Sequence, residues 1–170
     1  MARVQADPEI EKALSGTMLN IYTIGAHNGL RISDVLRLRV QHIRAYRPTI
    51  REQKTGKTKR LYIPSKLRQQ LIAATQNKPD TAWLFPSPND PSKPISRQAV
   101  YKAFKKAERK RGGTKHIGTH TMRKNYAQKL LRKGASLKRI QAKLNHRYLT
   151  DTLRYVTDTS LEDLIRGGQP

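Results

Sequence analysis

The sequence has no cysteine among its 170 residues. Disulfides, thiolate-bound zinc and a thiol nucleophile are therefore excluded. Acidic residues are scarce: 12 Asp and Glu stand against 35 Lys and Arg, a formal net charge of +23. So one-sided a balance points to a polyanionic partner. Nucleic acid is the usual one, with a ribosomal role or an anionic membrane as alternatives. The membrane is disfavoured because no helical pattern joins a basic face to a broad Trp/Phe/Leu face. No apolar run approaches the roughly 20 residues of a transmembrane helix. The first residues, MARVQADPEIEK, lack the apolar centre of a signal peptide, so a cytoplasmic location is expected. There is no internal repeat and no low-complexity tract. With 36% hydrophobic residues, the length suits one domain with a proper core.

Helical spacing of Leu14, Met18, Ile21, Tyr22 and Gly25 predicts a helix over residues 8–29, closed by the turn signal Asn28-Gly29. Ser33 is the expected N-cap of a second helix with the stripe Leu36, Val40 and Ile43, which puts Arg31 in the turn ahead of a helix N-terminus. Between Pro48 and Pro64 the period changes to two. TIREQ-KTGK-TKRLYIP reads as a β-hairpin with Gly56 free to take positive φ and Leu61 and Ile63 half-buried. Ser65 is the expected cap of a helix carrying Leu67, Leu71 and Ala74. The Pro- and Asn-rich stretch 77–96 reads as a long ordered loop anchored by Trp83, Leu84 and Phe85. Ser96 then caps a helix burying Val100, Ala103, Phe104 and Ala107, and Arg111-Gly-Gly ends it. A helix from about His120 to Arg132 buries Met122, Tyr126 and Leu130 and stops at Gly134. A short one, capped by Ser136, runs to Leu144. The last segments hold Tyr155 and SLEDLIRG. The fold class is α+β, mainly helical with one small antiparallel sheet.

The stretch Thr119–Val156 gathers polar groups of a particular kind: His120 and Arg123 three apart on one helical face, then His146, then Tyr155 nine residues further on. Two planar guanidiniums, Arg31 and Arg123, can clamp the non-bridging oxygens of a phosphodiester bidentately and stabilise the charge of in-line attack. That arrangement has no need of Mg²⁺, and no acidic metal cluster is visible. Tyr155 is the candidate nucleophile. At helical angles it falls roughly 120° from Leu149, off the apolar stripe Leu149, Leu153 and Val156, which predicts an exposed hydroxyl. Taken singly, each of these residues has an ordinary reading, as surface base, helix-end histidine or packed aromatic.

Together, IGAHNGLRISDVLRL around Arg31, QKTGKTKRLYIP around Lys54, HTMRKNYAQKLLRKGASLKRIQAKLNH around His120, Arg123 and His146, and TLRYV around Tyr155 resemble the catalytic domain of the tyrosine recombinase (phage integrase) family. The match covers nearly the whole chain, with the family's six elements in order. The resemblance implies cleavage and rejoining of DNA through a 3′-phosphotyrosyl enzyme and a free 5′-hydroxyl, with neither metal nor ATP. Tyr155 would be the nucleophile, His120 would help move its proton, and His146 would hydrogen-bond the phosphate. Lys54, with Lys57 and Lys59 as competitors, would be the general acid for the departing oxygen. Asp34, three after Arg31, matches an acidic family position that orients or buttresses the site, though a first-turn helix acid is an equal reading.

The family's usual Leu-Gly-His reads Leu144-Asn145-His146 here, and Asn tolerates positive φ. A Met stands at position 122, where Leu is commoner. The core-binding and arm-binding domains of full family members do not fit before residue 8, so residues 1–170 are expected to be a catalytic domain alone. The implied partner is a double-stranded recombination site, engaged by a homotetramer on DNA, with a monomer an open alternative off DNA and SLEDLIRG either docking on a neighbour or packing on its own chain. The implied source is bacterial, archaeal, phage or plasmid, within a mobile element or a resolution system. Lys57, Arg97 and Gln98 are candidate DNA contacts. Two other functions fit the same residues: type IB topoisomerase-like relaxation, and a non-catalytic basic DNA-binding module.

Overall fold

The computed structural model describes residues 8–110 and 117–156. Its helices are α1 (Pro8–Ala13), α2 (Gly16–Asn28), α3 (Ile32–Leu36), α4 (Val40–Arg44), α5 (Ser65–Ala74), α6 (Arg97–Lys110), α7 (Thr121–Arg132), α8 (Leu137–Leu144) and α9 (Leu149–Val156). Strands β1 (Thr49–Arg51) and β2 (Thr58–Arg60) pair antiparallel, with Ile50 opposite Lys59. This is the expected α+β class. Arg111-Gly-Gly and SLEDLIRG lie outside the described residues.

Helix α7 organises the packing, lying against α2, α8 and α9. Close approach to α2 needs a residue without a side chain, and Gly25 supplies it: a Cβ there would stand 2.4 Å from the Met122 sulfur. Beside it the Asn125 amide donates to the Tyr22 hydroxyl (2.7 Å), and Tyr22 meets Phe104 of α6 edge-on. The larger core joins α1–α6, the hairpin and Met122. A smaller one under α7, α8 and α9 is built from Tyr126, Ala127, Ile140, Leu144 and Val156. The loop 77–96 is anchored as expected, with Leu84 and Phe85 buried and the Leu84 amide donating to the Leu38 carbonyl. Trp83 is only half-buried, beneath the Arg39 guanidinium at 3.9 Å.

Several boundaries differ from the sequence pattern. The expected helix 8–29 is two helices, because Gly16 takes φ +52° after the extended Ser15. The expected helix after Ser33 is also two, α3 and α4. Ser33 lies inside α3, and Arg31 occupies the N-cap position in its place. Pro64, not Ser65, is the N-cap of α5. Leu61 and Ile63 are buried but lie past the end of β2. Ala103 and Leu130 are half-buried, and Ala74 is exposed. On α9 the buried residues are Thr152 and Val156, while Leu149 is 38% exposed, so the inward face is rotated from the expected stripe.

The Asn28-Gly29 turn does more than end α2. The Asn28 side chain accepts from the Tyr62 amide (2.7 Å) and donates to the Tyr62 carbonyl (2.8 Å), so it pairs with the chain leaving the hairpin as a strand would. Gly29 takes φ +62°, and a Cβ there would lie 2.5 Å from the Tyr126 ring and 3.0 Å from Leu144. Gly29→Ala combines left-handed strain, about 1–2 kcal/mol, with overpacking of a buried contact, about 1–3 kcal/mol. A loss of about 2–5 kcal/mol is expected, read as a lower urea midpoint at unchanged slope.

Candidate active site

Arg31, Arg123 and His120, far apart in sequence, line one cleft of about 460 Å³ together with Gln53, Lys54, Arg97 and Thr119. Arg31 stands at the N-cap of α3, its carbonyl accepting from the Asp34 and Val35 amides. Its guanidinium reaches back to Glu52 (Nη1–Oε2 3.3 Å) and is 21% exposed. Arg97 extends into a neighbouring shallower cavity of about 440 Å³, which Gln98, Tyr101 and Thr119 also line. Lys57 is exposed on the hairpin and lines neither cavity.

Arg123 is the largest of the fully buried side chains, at 2% exposure. Its Nη1 donates to the Gly29 carbonyl (2.5 Å) and its Nη2 to the Leu144 carbonyl (2.8 Å). The same Nη2 contacts His146 Nε2 at 3.0 Å. A guanidinium has no acceptor, so Nε2 must present its lone pair. The ring proton therefore sits on Nδ1, which donates to the buried Thr152 hydroxyl of α9 (3.1 Å). In this arrangement His146 accepts from Arg123 and steadies its guanidinium.

Tyr155 projects from α9 between the two histidines. Its hydroxyl is 3.0 Å from His120 Nδ1, and its ring lies 5.0 Å from that of His146 and 5.8 Å from the Arg123 guanidinium. Tyr155 as a whole is half-buried, and the hydroxyl that helical angles set off the apolar stripe meets the exposed His120. Packing against the α7–α9 core turns the ring inward.

Electrostatics follow from burial among many cations. Burial first, then Arg123, Arg97 and Arg31, holds His120 below its usual range. A neutral Nδ1 facing a phenol is a competent proton acceptor. Burial and then Arg123 lower His146 to about 4, against the opposing pull of Asp151. Lys59 is lowered to about 8, by burial first, with Glu52 raising it and Arg123, Lys143 and Arg31 lowering it further. It donates to the Lys143 carbonyl (2.7 Å) and lies 3.9 Å from Glu52. Lys54, by contrast, is exposed at the cleft.

Two buried acids offset this charge. Asp34, in the first turn of α3, accepts from the Gln53 amide (2.9 Å), which pins the hairpin to that helix. Glu52 has a side chain at 0% exposure and was not singled out by the sequence patterns. A signal for it exists: it is the sole acid between Asp34 and Asp80, in a hairpin crowded with bases. Burial pushes its carboxyl up, but hydrogen bonds from Asn145 and Thr55 and the charges of Lys59 and Arg31 bring it below the usual range. Among the described residues no group of three or more His, Cys, Asp or Glu could hold a metal ion, and no helix is long and apolar enough to cross a membrane.

A histidine with a lowered folded pKa binds protons more readily when unfolded. Its contribution to stability is therefore present above the ordinary value of 6.5 and lost as pH falls toward about 4 for His146. Urea midpoints measured between pH 7.5 and 4 are expected to fall through that window, and less steeply in His146→Gln. Equal slopes in the two proteins would assign the loss to other groups.

The fold is that of tyrosine recombinase catalytic domains. It superposes on XerA recombinase with a TM-score of 0.70 at 19% identity, over 96% of this chain and 62% of that one. A lambda integrase dimer bound to a COC' core site gives 0.65 at 21%, over 94% and 60%. The chain belongs to the phage integrase family, whose model matches residues 6–162. Probable integrase/recombinase YoeC of Bacillus subtilis is 31% identical over 137 residues, covering 80% of this chain and 75% of that protein. Tyrosine recombinase XerD of Corynebacterium glutamicum is 29% identical over 153 residues, 84% of this chain and 49% of XerD. The chain thus spans three quarters of the first relative and about half of the second.

Proposed function

We propose that this chain cleaves and rejoins DNA strands at specific sites, as the catalytic part of a tyrosine-type recombinase. The observation that carries the reading is the contact of the Tyr155 hydroxyl with His120 (3.0 Å), beside a cleft lined by Arg31 and Arg123. The Tyr155 proton passes to His120 Nδ1 as the phenolic oxygen bonds to phosphorus. The bond from phosphorus to the 5′-oxygen breaks, and that oxygen takes a proton from a lysine and leaves as a hydroxyl. Lys54 suits this step because it faces the cleft, whereas Lys59 is engaged with the Lys143 carbonyl. Arg31 and Arg123 stabilise the charge on the non-bridging oxygens, so the scheme uses no metal. The phosphotyrosine keeps the energy of the broken bond, and attack by another 5′-hydroxyl rejoins strands without ATP.

The partner in this reading is duplex DNA in the cytoplasm, bound along the face carrying Arg97, Gln98 and the cleft, with a homotetramer assembling on two sites. Similar folds include XerH bound to a palindromic difH substrate and the lambda integrase dimer on its core site. Covalent trapping tests the proposal. The chain is mixed with a nicked duplex carrying a site selected from a random-sequence pool by binding to it, and a denaturing gel is run. A shifted protein–DNA band is expected. Its absence at full occupancy would favour the non-catalytic DNA-binding reading.

A further inference from the structure

Glu52 cannot touch DNA, because its side chain is wholly enclosed. Yet three separate parts of the site meet on it. One oxygen, Oε2, accepts from Arg31 Nη1 (3.3 Å), from the Thr55 hydroxyl (2.8 Å) and from the Asn145 amide (2.8 Å). The other, Oε1, has no hydrogen bond and faces Lys59 Nζ at 3.9 Å. Thr55 follows Lys54 in the hairpin turn, and Asn145 precedes His146. The Gln53 amide, next along, is held by Asp34. The turn that presents Lys54 is therefore tied on one side to the end of α8 and on the other to α3.

Asn145 supplies an independent clue. It is the described non-glycine residue with positive φ, at +52°. Backbone conformation alone favours glycine at such a position. Asparagine offers an amide that reaches Glu52, 93 residues away in sequence.

We propose that Glu52, latched by Asn145, is a positioning residue that fixes Arg31, the Lys54 turn and the His146 turn in one register. The inference rests on the strand-cleavage reading above. It separates from a second role for the same carboxylate, that of a counter-charge. A buried anion beneath the phosphate site repels DNA, so removing its charge by Glu52→Gln leaves noncovalent binding equal or tighter in either case. A counter-charge role alone predicts equal or faster cleavage in that variant. A positioning role predicts slower cleavage, because displacements of about 1 Å cost up to ~100-fold.

The test measures two quantities for each protein: the rate of adduct formation on the nicked duplex, and noncovalent affinity in a Tyr155→Phe background. Glu52→Gln is expected to lose about 10- to 100-fold in rate, with an affinity unchanged within about threefold or tighter. Asn145→Gly guards against misfolding of the first variant. Its melting temperature should hold or rise, while its rate falls at least about fivefold. Rates within twofold of wild type in both variants would overturn the positioning role while leaving strand cleavage intact. No adduct from wild type on DNA that it binds would overturn the cleavage reading and this inference with it.

Discussion

Tyr155→Phe is expected to bind DNA as the wild type does and to form no covalent adduct. The substitution removes one oxygen, the atom 3.0 Å from His120 Nδ1. The ring keeps its places beside His146 and Arg123 and against the α7–α9 core. One hydrogen bond is lost, so stability should drop by only about 0.5–1.5 kcal/mol. The basic surface is unaltered, so noncovalent affinity should stay within about twofold at matched salt. The denaturing gel, in contrast, should go from a clear band to none. A band that persists would move the nucleophile elsewhere, and Tyr148 is the alternative to examine. It is 57% exposed and lies under the Arg147 guanidinium.

Arg123→Lys keeps the charge and should still be among the most damaging changes. The native guanidinium spans the Gly29 and Leu144 carbonyls and touches His146 through a planar array of donors. An ammonium is a compact point that cannot reach all three. At least one buried carbonyl would lose its partner, for about 1–3 kcal/mol, and packing against the half-buried Tyr155 would loosen. Catalysis should suffer more than folding. A removed donor to a developing oxyanion costs about 10²–10³ in rate, and a transition-state arginine in phosphoryl transfer about 10³–10⁵. We expect adduct formation to slow by about 10³-fold or more, with the variant still folded by circular dichroism. A loss under tenfold would mean that Arg123 serves the fold rather than the phosphate.

Much of this was legible in the sequence because the signals are local. Ser136 caps α8 through its hydroxyl and Asn145 closes the same helix at positive φ, as their residue types foretell. Gly25 and Gly56 behave as expected, the first under Met122 and the second at φ +66°. The six candidate residues carried spacing and context that survive in three dimensions: Lys54 faces the cleft with Arg31, Arg123 and His120, while His146 and Tyr155 close in from behind. What the sequence hid is burial of polar groups, which distant partners decide. Glu52 reads as one more polar hairpin residue until Arg31 and Asn145 are seen to meet it. Lys59 and Lys54 look alike in a run of bases, but pairing opposite Ile50 turns Lys59 inward. Helix breaks were hidden too, since the apolar stripe of residues 36–43 continues across Arg37–Arg39 even though the backbone does not.

The two carbonyls that hold Arg123 share a further property. Gly29 is the C-cap of α2, and Leu144 is the last residue of α8. Each marks the end of a helix where peptide dipoles leave a partial negative charge, equivalent to about half an electron. Two such ends directed at one guanidinium amount to roughly one counter-charge spread over backbone that cannot rotate away. The arginine is thereby set and partly neutralised as the chain folds, before any nucleic acid arrives. The entropy of immobilising a long side chain is met then, and an incoming phosphate finds a cation already aimed.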